Sequence, residues 1–356
     1  MVLIQNKKVF MSLATKCIFL LLMTLLPLSG HCVEPISLKF ANQDPSSGFV
    51  SDAHKAWAEE LEKRTGGRYR VEIAWSASMG PLEAHYDLVR HGIADVSFFT
   101  ATPPAPFNFG MISTLPWNLP TAEISINAYW DLYKMGFFDR EFSDVKPLFV
   151  WNGDNNALYS SKPINGLDDL KGKKVATTIP YAIKFLKEIG ATPVVIDPVE
   201  VYEAIEKRVV DACWFIWEGV IPFQLHEVCH YCIEPIFGNM QCAVAMSKYT
   251  YDKLPADVKA IVDQLGEDVL LPETIKGYQT ANAAGRKAFA EAGGVVTTWS
   301  EEDLARMNKI ISPYWDEWIK DMEKKRHPAR KAVDAYWNIL KNKGVERPAF
   351  GYTPKD

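Results

Sequence analysis

Apolar and polar positions switch repeatedly between a period of two and a period of three to four, and each switch marks a new element. Ile36–Ala41 reads as a short strand, followed by the polar loop Asn42, Gln43, Asp44, Pro45, Ser46, Ser47, Gly48. Ser51 is placed to cap a helix whose apolar positions Ala53, Ala56, Trp57 and Leu61 recur at helical spacing, and Gly66 and Gly67 end it. Tyr69, Val71, Ile73 and Trp75 then alternate with Arg70, Glu72 and Ala74, the pattern of a half-buried strand. Pro81 opens a helix carrying Leu82, His85, Leu88 and Val89, Gly92 closes it, and Ala94–Phe99 is the next strand.

After a proline-rich passage at Pro103, Pro104 and Pro106 the alternation resumes. Strands are expected at Pro147–Trp151, Ala157–Ser161, Lys173–Thr177, Pro193–Ile196 and Val209–Ile216, with helices at Tyr181–Ile189 and Val199–Glu206. Beyond Pro255 the pattern is helical almost to the end, with Pro272 and Pro328 as interruptions, and no internal repeat is visible. Strand–helix alternation predicts an α/β protein with a largely parallel sheet. Two such lobes joined by crossing segments, then a helical C-terminal region, form a two-lobed fold. Ligands of open α/β sheets bind beyond the carboxyl ends of the strands, which puts a ligand cleft between the lobes.

Composition narrows the picture. The chain has 356 residues, enough for two cores, and 23% charged residues with no polar low-complexity tract, which excludes general disorder. A net charge of -5 lacks the basic surplus that phosphate neutralisation requires, so nucleic acid is not an expected partner. Lys7, Lys8 and Lys16 precede the apolar run Cys17–Leu28, followed by Gly30, His31 and Cys32. A positive start, a short apolar stretch and small residues at the cut form a secretory signal, assigned to residues 1–32. That segment holds three lysines and no acid, so the mature chain carries -8.

Four cysteines remain after cleavage: Cys213, Cys229, Cys232 and Cys242. An even number in an oxidising compartment predicts at least one disulfide, with three pairings open. His226, Cys229, His230, Cys232 and Cys242 also include zinc-ligand types, but only Cys229 and Cys232 are spaced as a ligand pair, so no metal is assigned. The sequence holds no glycine-rich phosphate loop, Gly-x-Ser-x-Gly elbow or His-Glu-x-x-His pair. Neither catalysis nor a cofactor is expected.

The order and spacing of several short pieces resemble the DctP-type solute-binding proteins of TRAP transporters. These are Glu62-Lys63-Arg64-Thr65-Gly66-Gly67, Met79-Gly80-Pro81-Leu82, Lys162-Pro163-Ile164, Leu167-Asp168-Asp169-Leu170-Lys171-Gly172-Lys173-Lys174, Tyr202-Glu203-Ala204 and Val209-Val210-Asp211. The resemblance implies a periplasmic receptor that closes over one small organic solute and delivers it to a small and a large membrane subunit, usually on a sodium gradient. It places the first lobe at 33–156 plus about 245–285, and the second at 157–244 plus about 286–356. Most members bind organic acids through an arginine in the strand after the Asp169-Leu170-Lys171-Gly172 turn. Here that position is Ala176. A second arginine of the family falls at Asn156 or a neighbour, and the family's carboxylate-binding asparagine falls at Phe215.

What stands around those positions is mostly aromatic: Trp151, Tyr181, Trp214, Phe215 and Trp217, with Glu218 beside them and Gln43 in the loop after the first strand. These residues, with Asn156 and Ala176, form the expected ligand site, suited to a neutral or aromatic solute rather than a simple dicarboxylate. Alternation puts Trp214 and Phe215 on opposite faces of their strand. Lys184 and His226 are the cations available to substitute for the missing arginine. The same fold would also serve a receptor that signals to a membrane sensor kinase, or less readily an exported enzyme. Mature protein is predicted to start near Val33 and to appear in the periplasmic fraction. N-terminal sequencing checks this, and exported protein still starting at Met1 would refute it.

Overall fold

The computed structural model describes residues 34–101, 107–117, 119–346 and 350–352. The signal segment and the passage Pro103–Pro106 lie outside the described residues. Ile36–Asp356 forms one compact unit. Its elements are β1 (Ile36–Ala41), α1 (Ser51–Arg64), β2 (Tyr69–Ala74), α2 (Leu82–Arg90), β3 (Val96–Thr100), α3 (Ala122–Lys134), β4 (Val145–Asn152) and β5 (Asn156–Ser160). Then come β6 (Lys174–Ala176), α4 (Pro180–Glu188), β7 (Thr192–Val194), α5 (Val201–Glu206), β8 (Ala212–Phe215), α6 (Leu225–Val228), β9 (Tyr231–Ile236) and β10 (Gln241–Ser247). The last part holds α7 (Lys248–Lys253), α8 (Ala256–Leu265), α9 (Leu271–Glu291), β11 (Val295–Thr298), α10 (Glu301–Lys324) and α11 (Ala329–Asn342).

Two sheets build the two lobes, in the orders β2-β1-β3-β10-β4 and β11-β9-β5-β8-β6-β7. Neither is wholly parallel. In the first, β10 runs antiparallel to β3 and β4; in the second, β5 runs antiparallel to β8 and β9. The reason is the route of the chain. A strand that arrives from the other lobe enters its sheet at the cleft edge, while β1, β3, β6 and β8 end there. So β4 passes into β5 across Gly153–Asn155, and β9 returns into β10 across Phe237–Met240. Residues 241–244, expected with the second lobe, therefore belong to the first sheet.

Local expectations differ from the structure where neighbours intervene. Ser51 is not the cap: Val50 holds that position, and the Ser51 hydroxyl donates to the Pro45 carbonyl at 2.7 Å. Pro272 does not interrupt the helical run. It occupies the first turn of α9, where its missing N–H costs nothing, and a π-helical turn at Gly266–Leu270 joins α8 to α9. The C-terminal residues expected with the second lobe divide between the two. Met307, Ile311 and Tyr314 of α10 pack in the second lobe, whereas Trp315, Trp318 and Met322, with Val333 and Tyr336 of α11, are core residues of the first.

Helix α9 is 21 residues long, about 30 Å, and touches both lobes. Its backbone comes so close to each that a β-carbon on Gly277 would collide with the Phe49 carbonyl, and one on Gly285 with the Trp217 carbonyl. Neither neighbour is a flexible side chain that can swing aside. Gly285→Ala is therefore expected to destabilise the protein by about 1–3 kcal/mol through overpacking, measured by urea unfolding, despite the better helix propensity of alanine.

Candidate functional site

The carboxyl ends of β1, β3 and β4 and the start of β10 lie opposite the carboxyl ends of β6, β8 and β9 and the start of β5. Asparagines hold the two crossing segments where these ends meet. Asn155 Nδ2 donates to the Leu119 carbonyl at 2.8 Å, Asn156 Nδ2 to the Gly238 carbonyl, and Asn239 Nδ2 to the Asp154 carbonyl. Ser125 Oγ, from α3, donates to the Gly153 carbonyl at 2.6 Å. Beside the crossings lies a cavity of about 220 Å³ bordered by both lobes: Leu119 and Pro120 on one side, Trp217 and Glu234 on the other, Asp154, Asn155 and Asn156 between them, and Arg286 from α9.

Several expected site residues meet this cavity and several do not. Asn156 and Trp217 line it, and Glu218 lies next to Trp217 in the short 3₁₀ turn that follows β8. Trp151 is a core residue of the first lobe, fully buried and stacked on Phe149 and Phe98, with its indole N–H pointing to the Tyr278 hydroxyl at 3.3 Å. Trp214 is also core, among Phe185 and Phe237, and its indole N–H donates to the Phe237 carbonyl at 3.1 Å. Phe215 takes the other face, half-buried against Phe223, as strand alternation requires. Ala176 is buried at the end of β6, and Tyr181 is half-buried and stacked on Tyr314. Gln43 is half-buried beside Asp44, to which its amide is hydrogen-bonded.

The expected substitute cations are engaged elsewhere. Lys184 pairs with Glu317 and lies over the Tyr314 ring at 4.2 Å, and His226 contacts the Val220 carbonyl at 3.3 Å. The cation that borders the cavity is Arg286, which the sequence reading missed. Its NH1 and NH2 donate to the two carboxylate oxygens of Glu234 at 3.0 and 2.8 Å, its Nε donates to Asn282 Oδ1 at 2.8 Å, and its guanidinium lies 4.3 Å from the Trp217 ring. The Trp217 indole N–H also donates to Glu234, at 2.7 Å. Tyr278, Asn282 and Arg286 stand four residues apart on α9, and so share one face. That spacing is a readable signal within the helical C-terminal region.

Around Arg286 the charges are acidic. Asn282 Nδ2 donates to Asp154 Oδ2 at 2.9 Å and reaches Glu218 Oε1 at 3.5 Å. Burial pushes the Glu218 carboxyl up to about 8, reinforced by the charge of Asp154. Burial likewise pushes Asp154 and Asp44 up to about 6 each.

The disulfide expectation is corrected: all four cysteines are free thiols. Cys213 and Cys232 both pair with Tyr159, from strands on either side of it, so they lie two strand spacings apart, about 9–10 Å, beyond a disulfide's reach. Cys242 belongs to the other sheet. Cys213 and Cys229 touch as thiols in the buried core of the second lobe, where desolvation pushes the Cys213 thiol far up. Among the described residues, no group of three or more His, Cys, Asp or Glu side chains is arranged to hold a metal, and no helix is long and apolar enough to cross a membrane.

Two lobes, two crossings and a cavity between them define a periplasmic solute-binding protein of the hinged type. The chain belongs to the DctP family, bacterial extracellular solute-binding protein family 7, whose model matches residues 40–321. It is thus a TRAP-type solute receptor rather than an enzyme, and membership implies work with membrane subunits. Among its relatives, the outer membrane transporter protein TsaT of Comamonas testosteroni is 24% identical over 324 residues, covering 88% of this chain and 94% of that one. A marine metagenome TRAP solute-binding protein specific for aromatic acid ligands, solved with metahydroxyphenylacetate, matches at a TM-score of 0.78 and 23% identity, over 87% of this chain and all of that one. A TRAP solute-binding protein from Rhodoferax ferrireducens, solved with copurified benzoate, matches at 0.76 and 23%, over 86% and 98%.

Glu218, Asp154 and Asp44 all hold protons in the folded chain at pH values where unfolded carboxyls have lost them. Each therefore contributes stability at low pH that disappears as pH rises through its folded value. Between pH 6 and 9 the wild-type protein is expected to lose stability, and Glu218→Gln to lose less, ending the more stable at pH 9. Urea unfolding across that range checks this. A residual slope from Asp154, Asp44 and Glu141, the last held up to about 7 by burial, should remain.

Proposed function

We propose that this receptor captures a neutral or aromatic organic solute rather than a simple dicarboxylate, closing its lobes on it and presenting it to the small and large membrane subunits of a TRAP-type transporter. The observation that carries this reading is Ala176. A buried methyl group stands at the end of β6 where the family resemblance expects a guanidinium. A buried carboxylate without a cation carries a large desolvation cost, which charge-assisted hydrogen bonds normally offset. Arg286, the cation at the cavity, is already committed to Glu234 on both of its terminal nitrogens. The adjoining acids Asp154 and Glu218 oppose a second negative charge.

Aromatic surface supports the other half of the reading. Trp217 borders the cavity, so a ring or an apolar group can be packed against it. The two solved relatives were found with metahydroxyphenylacetate and benzoate. The aromatic part of those ligands agrees with this proposal, and their carboxylate is the part for which this chain lacks the family's clamp.

The test is a calorimetric screen of purified mature protein against succinate, glucuronate, benzoate, 2-phenylethanol and simple polyols, with small-angle scattering of any complex. An uncharged or aromatic compound should bind with compaction and remain chemically unchanged. Succinate should bind about ten- to a hundredfold more weakly, the cost of one lost charge-assisted bond. Submicromolar succinate binding would overturn the reading.

A further inference from the structure

The polar groups at the interlobe cavity are unbalanced in one direction. Asp154 and Glu234 line it and Glu218 is buried beside Asp154, against the single guanidinium of Arg286, which Glu234 takes up in a two-pronged pair. Asp154 and Glu218 share the neutral donor Asn282 Nδ2, and Asp154 Oδ1 also accepts the Asn155 backbone N–H at 2.8 Å.

Two acceptor atoms there have no partner. Glu218 is 1% exposed and its Oε2 meets no donor. Asn155 lines the cavity at 8% exposure; its Nδ2 is held by the Leu119 carbonyl, and its Oδ1 is unpartnered. Both vacancies are for hydrogen-bond donors. A neutral hydroxyl would satisfy an acceptor but leave the charge deficit. An anion would worsen it. A metal ion needs several ligands converging on one point, and the described acids, histidines and cysteines form no such group. An ammonium supplies both what is missing in charge and up to three N–H donors.

We propose that this cavity recognises the ammonium group of a small amine, with Asp154 at its wall and Glu218 behind it as counter-charges, Asn155 Oδ1 as a further acceptor and Trp217 as the apolar wall. This rests on the reading that no carboxylate clamp operates in this receptor, and it names the charged end of the solute. In the solute's absence the proton on Glu218 stands in for the missing positive charge, which agrees with its raised titration. Binding then proceeds with ionisation: the ammonium enters, the Glu218 carboxyl loses its proton to buffer, and charge is conserved.

The experiment titrates full-length mature protein at pH 7 with three probes of similar shape: phenethylamine, 2-phenylethanol and 3-phenylpropionate. Titrations in buffers of different ionisation enthalpy count the protons released. Phenethylamine is expected to bind at least tenfold more tightly than 2-phenylethanol, and 3-phenylpropionate most weakly, with proton release for the amine alone. Glu218→Gln and Asp154→Asn should each weaken the amine at least tenfold more than they weaken the alcohol, and Glu218→Gln should suppress the proton release. Equal or tighter binding of the alcohol, or amine binding untouched by both substitutions, overturns the proposal while leaving the neutral-solute reading standing. Failure of the amine to bind at millimolar concentration overturns it as well. Tight binding of 3-phenylpropionate or succinate overturns both readings. If either variant fails to fold, the order of the three probes on wild-type protein decides the matter.

Discussion

The close seating of α9 on both lobes is the constraint on which the rest of the molecule depends. Its backbone packs against the carbonyls of Phe49 on one side and Trp217 on the other, and only glycine at 277 and 285 leaves room. Along the same stretch the helix carries Tyr278 toward Trp151 in the first lobe, Asn282 toward Asp154 and Glu218 at the crossing, and Arg286 toward Glu234 in the second. A helix held a few ångströms further out would leave all three side chains short of their partners. Lobe spacing, cavity shape and charge arrangement are thus set by one packing decision.

The crossings impose a second order. Each lobe lends a strand to the chain's passage, so each sheet accepts one strand running against its neighbours. The backbone groups of the crossing segments leave their sheets and must be satisfied otherwise, and asparagines and Ser125 do this. A segment held by side-chain amides rather than by a sheet ladder has few bonds to rearrange when the lobes move. That suits a hinge.

Charge defines how this receptor departs from its family's usual pattern. The guanidinium expected at the end of β6 is replaced by a methyl group, and the guanidinium that is present sits on α9, neutralised by Glu234. The remaining acids are buried together, and burial rather than any specific partner is the main cause of their raised titration. Desolvated carboxyls near one another cannot all ionise without a cation.

Much was legible in the sequence because it depends on local period and turn chemistry. The strand at 69–74, the helix opened by Pro81 and the glycine stops at 66 and 67 follow from residues within a few positions of one another. Period tells which face of an element is buried, however, and not what it is buried against. Trp151 and Trp214 were expected at the ligand and lie in the cores, because their strands carry helices on the faces they point to. The helical stripe of residues 301–342 gives no sign of where its partner changes from one lobe to the other. Glu218 and Asp154 lie 64 and 128 residues before Asn282, and only the fold brings both within reach of its amide. The sequence by itself determined many of the local elements and the family. The tertiary structure decided which cysteines and tryptophans are core and which acids are desolvated together, because burial and charge interaction are sums over neighbours that the chain supplies only once folded.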